Sequence, residues 1–270
     1  MRYAIIGVEG PQDQAFVGKV LKQLLGFKDF RGKEFKGLKK NLDPFWHKFI
    51  PPYPQKDDLY KRLDMPSILY NDVVSVAIYA GEGSNLVTNL DYFIREHPPY
   101  QEELMAFGIV ADADRQAPDA VVEPYCNCFR SYFPNFPDLA GAIDTSVPPF
   151  RKNRTGIYVL PDNVNPGVLE TLLCLCGEVA YPEYLERAQE YLDKFSPEER
   201  KSLKWKPFDF SRSVREKALV ATVVSVLKPG KTNTASIADN NWVSGPTETE
   251  VKALSNFREF LRELVSFDEG

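Results

Sequence analysis

The sequence predicts an α/β protein: a mostly parallel sheet of about four strands flanked by helices, with a helical C-terminal region. Three observations carry that expectation. Short apolar runs rich in β-branched residues recur at Tyr3–Val8, Val73–Ala80, Ala106–Ala111 and Thr155–Leu160, and such runs suit strands buried on both faces. Segments with helical apolar spacing follow them, the alternation that builds parallel sheets. Beyond about residue 180 the periodicity is helical throughout.

The first strand ends at Gly7-Val8-Glu9-Gly10. Phe16, Val17, Val20, Leu21, Leu24 and Leu25 then recur at helical spacing, and Gly26 is a natural stop. From Lys28 to Arg62 ten basic residues face five acidic ones, interleaved with Phe30, Phe35, Phe45, Trp46, Phe49, Tyr53 and Tyr60. With Pro51, Pro52 and Pro54 this stretch reads as an insertion at about 28–64. Its aromatics either form a satellite core rimmed by lysines or bind nucleic acid by stacking and phosphate contacts.

The second strand closes with Gly81-Glu82-Gly83, a turn, and Leu86, Leu90, Phe93 and Ile94 give a helix up to His97-Pro98-Pro99. The third ends in Asp112-Ala113-Asp114, and a helix is expected over Pro118–Tyr132. The fourth runs into a Pro161-Asp162 turn and a helix from about Gly167 to Cys176. Further helices are expected over Pro182–Phe195, Pro197–Lys204, Val214–Leu227 and Glu248–Val265. The organisation expected is an α/β core over 1–180, with a helical extension over 181–270 packed on it.

The chain has 270 residues, 43% of them hydrophobic and 26% charged, which excludes disordered and collagen-like classes. The longest apolar stretch, Ala218–Leu227, falls well short of the roughly 18 residues a membrane span needs. Glu9 interrupts the N-terminal apolar run before it could act as a signal-peptide core. The expected setting is therefore cytoplasmic, with no membrane partner. A net charge of −5 argues against a surface built all over for nucleic acid.

The four cysteines form two Cys-x-Cys pairs, Cys126/Cys128 and Cys174/Cys176. Zinc modules use chelate loops of the Cys-x-x-Cys kind, so reduced thiols are the better reading. Only His47 and His97 are available to histidine chemistry. Gly230-Lys231-Thr232 resembles the end of a phosphate-binding P-loop, but Ser225 stands where a glycine is required and the segment follows a helix. An enzyme built from this chain would work with carboxylates.

Those carboxylates gather. In an open α/β sheet, ligands bind beyond the carboxyl ends of the strands. Glu9 follows the first strand, Asp112 and Asp114 the third, and Asp162 the fourth. Crowded carboxylates repel unless protonated or neutralised, and Mg²⁺ neutralises them through oxygen ligands. Acids at strand ends also cap helices, so the pattern alone leaves a metal site and ordinary capping both open.

Ile5-Ile6-Gly7-Val8-Glu9-Gly10-Pro11-Gln12-Asp13 resembles the first Toprim signature, a hydrophobic strand ending in Glu-Gly-x-x-Asp. Phe107-Gly108-Ile109-Val110-Ala111-Asp112-Ala113-Asp114 resembles the second, a strand closing with Asp-x-Asp. The Gly81-x-Gly83 turn and Leu160-Pro161-Asp162 with Gly167-x-Leu169-Glu170 resemble small Toprim-like proteins allied to OLD-type nucleases. The resemblance covers about residues 1–176. It implies Mg²⁺ (or Mn²⁺) held by Glu9, Asp112 and Asp114, with Glu170 or Asp162 supporting a second ion. It implies Glu9 as general acid/base and a downstream lysine, for which Lys217 is the candidate.

The activity implied is a Mg-dependent nuclease or phosphodiesterase acting on nucleic acid, DNA or RNA. The alternative is a non-catalytic Toprim-fold subunit that binds nucleic acid or protein beside an ATPase partner. A nucleotide-processing enzyme using the same acids on a small phosphate ester is a third reading, and the C-terminal helices suit homodimer contacts. Simpler roles stand beside these: Asp13 as a helix cap, Glu170 as a surface residue, and Lys217 as a solvated charge.

Overall fold

The structure, a computed structural model, describes residues 1–30, 43–47, 67–144, 153–196, 198–199 and 212–266. Four parallel strands form its centre: β1 (Arg2–Val8), β4 (Val74–Ala80), β5 (Leu104–Asp112) and β7 (Arg154–Leu160). They are the four apolar runs of the sequence, and their side chains are almost wholly buried. Three short strands extend the sheet: β2 (Lys28–Asp29), β3 (Ser67–Tyr70) and β6 (Ile143–Asp144). The order is β2-β3-β4-β1-β5-β7-β6, with the added strands antiparallel to their neighbours.

Helices cover both faces, and each face has its own core. On one, α1 (Pro11–Leu25), α5 (Leu169–Ala180), α6 (Pro182–Asp193), α7 (Arg212–Leu227), α8 (Asn233–Asp239), α9 (Gly245–Glu250) and α10 (Lys252–Val265) gather around Phe16, Tyr158, Trp242 and Phe257. On the other, α2 (Leu86–Glu96), α3 (Pro99–Glu103) and α4 (Pro118–Phe129) surround Phe107, Phe129, Phe133 and Phe136. The C-terminal helices thus pack on the sheet and complete one layer of it.

Several boundaries move. The helix expected over Pro118–Tyr132 stops at Phe129, and the one expected over Glu248–Val265 divides at Val251, whose extended backbone (φ −101°, ψ 96°) separates α9 from α10. Thr232 caps α8 by accepting from the Ala235 amide, which gives the Gly230-Lys231-Thr232 segment a structural task. The expected helix over Pro197–Lys204 lies outside the described residues except for positions 198 and 199.

The 28–64 insertion lies mostly outside them too; residues 28–30 and 43–47 are described. Phe45 stacks on Tyr3 with ring centroids 3.8 Å apart, and the Trp46 indole donates to Ser75 Oγ at 2.8 Å. Trp46 is fully buried, so this part of the insertion joins the core. No helix among the described residues is long and apolar enough to cross a membrane. All four cysteines are free thiols.

Candidate active site

β1 lies between β4 and β5, and the chain moves from β1 to β4 on one side and from β5 to β7 on the other. Such a reversal opens a crevice beyond the carboxyl ends of the strands. Glu9 is the first residue after β1, and its Oε1 accepts from the Asp112 backbone N–H at 3.0 Å. The turn after β4 is fastened to the same end: Gly81 N–H donates to Val8 O at 2.9 Å and Gly83 N–H to Glu9 O at 2.7 Å. A Cβ on Gly81 would stand 2.5 Å from the Leu86 Cα, so only glycine permits this approach.

Asp112 closes β5. Its Oδ1 accepts at 2.9 Å from the N–H of Leu169, the first residue of α5, where the helix dipole favours negative charge. Asp114 follows with a left-handed backbone (φ 50°), and its N–H donates to Gly167 O at 2.7 Å. Gly167 itself has φ 155°, and a Cβ there would lie 2.8 Å from Thr171 Oγ1. These contacts pin the loops after β5 and β7 against each other.

Two helices add acids from one layer. Asp13 reaches back across the first turn of α1, its Oδ2 accepting from the Gly10 N–H at 2.8 Å. Glu170, the second residue of α5, is 5% exposed. Beside it Thr171 accepts from the Val168 N–H and donates to the buried carboxylate of Glu216 on α7. That bond ties α5 to α7 one residue before Lys217.

The acids act on one another. Burial, then the charge of Glu9, and next that of Glu170 push Asp13 up to about 7, against the hydrogen bond from Gly10. Asp112 is held well above the usual carboxylate range by burial, then by Asp13, Glu9 and Glu170, while Lys217 pulls it down. Glu9 is raised by burial and by Asp114, and opposed by the Asp112 amide and Lys217. Glu170 is raised chiefly by burial, with Lys217 again the main opposing charge. Several carboxylates therefore share one partly buried edge with Lys217 near them.

A family model described as a protein of unknown function, DUF3226, matches residues 3–266. The chain belongs to the DUF3226 family. No curated protein matches it. Among solved structures, the hypothetical protein PH0156 from Pyrococcus horikoshii OT3 aligns at a TM-score of 0.47 and 15% identity, over 98% of this chain and 95% of that one.

In this DUF3226 chain Glu9, Asp112, Asp114, Glu170 and Lys217 come within electrostatic reach of one another. Asp162 is placed differently. Its Oδ1 accepts from the Val164 and Asn165 amides at 3.0 and 2.8 Å, and its Oδ2 from the Asn165 side chain at 2.7 Å, so the carboxylate holds its own turn. Asp13 both caps α1 and belongs to the cluster, so capping is only part of its role.

Two further residues have no signal in the sequence. Glu216 carries the α5–α7 link. Tyr125 of α4 enters from the opposite layer, and the charges of Glu9, Asp112 and Asp13 reach its hydroxyl. The donor set is all hard oxygen, the chemistry Mg²⁺ and Mn²⁺ prefer. Among the described residues, however, no three His, Cys, Asp or Glu side chains stand in a metal-holding arrangement. Glu9, Asp13 and Asp112 each spend an oxygen on a backbone N–H.

Proposed function

We propose that this DUF3226 protein is a Toprim-like, Mg²⁺-dependent phosphodiesterase that cleaves nucleic acid. One observation carries the reading. The Glu9 carboxylate, just beyond β1, accepts at 3.0 Å from the Asp112 amide that closes the adjacent parallel β5, and the charges of Glu9, of Asp13 on α1 and of Glu170 on α5 all reach Asp112. Buried like charges are unfavourable unless protonated or matched by a cation. A set of oxygen ligands with raised proton affinity is what a site looks like before its counter-charge arrives.

Glu9, Asp112 and Asp114 would hold the ion, with Glu170 in support. Bound Mg²⁺ supplies Lewis-acid stabilisation of phosphoryl charge and a more acidic water. Glu9 would take a proton from the attacking water and return one to the leaving oxygen, the general acid/base role that the resemblance implies. Lys217 offsets the negative charge of the cluster and of a phosphate brought to it. The four free thiols suit a cytoplasmic setting.

A second reading is a non-catalytic Toprim-fold subunit that binds nucleic acid or protein beside an ATPase. Incubation with single- and double-stranded DNA and with structured RNA, in Mg²⁺ or Mn²⁺, separates the two. The phosphodiesterase reading expects metal-dependent cleavage that Asp112→Ala abolishes. No cleavage of any substrate, with Asp112→Ala indistinguishable from the parent protein, overturns it.

A further inference from the structure

We propose that the two loops beyond β7, 137–142 and 161–167, form a rigid apolar ridge, led by Leu139 and Val164, that packs against a nucleobase beside the scissile phosphate. The proposal rests on the phosphodiesterase reading and names where the uncharged part of its substrate lies. The later loop borders the acids at both of its ends. Leu160 O accepts from the Ala113 N–H at 3.1 Å, and Gly167 O from the Asp114 N–H at 2.7 Å. Residues 161–166 therefore arch between two contacts made by the Asp112-Ala113-Asp114 segment itself.

The arch is held from within. The Asn163 N–H donates to Val159 O at 2.8 Å, and its Oδ1 accepts from the Val159 N–H at 2.7 Å. Asp162 accepts from the Val164 and Asn165 amides and from the Asn165 side chain. The other loop is fitted to it. Antiparallel pairing of Ile143 with Gly156 carries the preceding residues toward the same end of β7, and a Cβ on Gly141 would lie 2.7 Å from Asn163 Nδ2. The Ala140 N–H ties that loop to α4, donating to Asp119 Oδ1 at 3.1 Å. Among the described residues, Glu82, Asp114 and Asn163 are the residues other than glycine with left-handed backbones, and they stand in the loops after β4, β5 and β7. Backbone strain gathers at sites where side chains are held for a task.

What these loops present is apolar. Val164 is 74% exposed, the most of any large hydrophobic side chain among the described residues, and Leu139 is 57% exposed. Turns favour Gly, Pro, Asn, Asp and Ser, and a valine so exposed adds little to the stability of its own fold. Neither loop contains a lysine or arginine, and Asp138 and Asp162 make both negative. A phosphate is therefore repelled here and drawn instead to a cation at the acids, while the face of the adjoining base buries itself on the two side chains. Apolar side chains are used against base faces elsewhere in nucleic-acid recognition, and loops already rigid lose little freedom on binding.

The test is the double variant Leu139→Ser, Val164→Ser in the full chain, read by fluorescence anisotropy in Mg²⁺. The probes are two cleavage-resistant phosphorothioate DNA strands of equal length, one bearing bases and one abasic. The proposal expects the variant to bind the base-bearing strand about tenfold more weakly, the loss due to two apolar side chains no longer buried, and the abasic strand as the parent does. Its thermal midpoint and its Mg²⁺ affinity by calorimetry stay at the parent's values, and Leu139→Met with Val164→Ile keeps parental binding. Equal affinity of variant and parent for the base-bearing strand overturns the proposal and leaves the ridge to a protein partner. An equal loss on both strands overturns it as well, and so does a parent protein that binds neither. A parent that binds the base-bearing strand through the ridge but cuts nothing refutes the phosphodiesterase reading while the ridge stands.

Discussion

The Glu9 carboxylate accepts a hydrogen bond from the backbone N–H of Asp112, 103 positions later in the chain. The contact is possible because β1 and β5 are parallel neighbours with Val8 opposite Val110, so Glu9 leaves β1 alongside the last residues of β5. An oxygen held on an amide lowers the proton affinity that burial raises, yet Glu9 stays above its ordinary range. The fold therefore stores unfavourable charge at this edge.

That stored charge makes stability depend on pH. Asp13 titrates near 7 in the fold and near 3.8 when unfolded. Below about pH 4 both states hold the proton and nothing is lost. Between about 4 and 7 the unfolded chain releases it first, so stability falls as pH rises through that window. Asp13→Asn keeps an acceptor for Gly10 and removes the charge. Urea denaturation of the metal-free protein is expected to show the variant more stable at pH 8, by about 1–3 kcal/mol, and no gain at pH 4.

Thr171→Val tests the tie between α5 and α7. It removes the donor to the buried Glu216 and the acceptor for the Val168 amide. The expected cost is about 1–3 kcal/mol by denaturant midpoint, with a fall in cleavage rate because Glu170 and Lys217 are positioned from these two helices. A variant as stable and as active as the parent would show that the bond holds nothing in place.

The structure makes Cys128 a slow thiol although it is partly exposed. Burial, the charge of Asp91 and the hydrogen bond to Asp91 push it up to about 11. At pH 8 its iodoacetamide alkylation is expected to run at least about tenfold slower than that of free cysteine, whose pKa is near 8.5. Asp91→Asn should accelerate it. Mass spectrometry of the labelled peptide over time gives both rates.

Much of the fold is legible because four strands buried on both faces must be apolar along their length. The edges are not. β2 and β6 have two residues each, too few for any periodicity, and α8 is one short turn-capped segment. At the site, Glu9, Asp112 and Asp114 are readable because strand ends point to one edge by topology. Asp162 likewise stands just beyond a strand, and its oxygens accept from local amides. Tyr125 and Glu216 lie within ordinary amphipathic helices, and only packing shows which way they face.

The central claim is that acids distant in sequence share a cation. It is tested most directly by crystals soaked in Mn²⁺ and read by anomalous scattering. The account predicts a peak coordinated by Glu9, Asp112 and Asp114 and lost in Asp112→Asn. Density with no peak at this edge, the carboxylates still resting on their amides at saturating Mn²⁺, would contradict it.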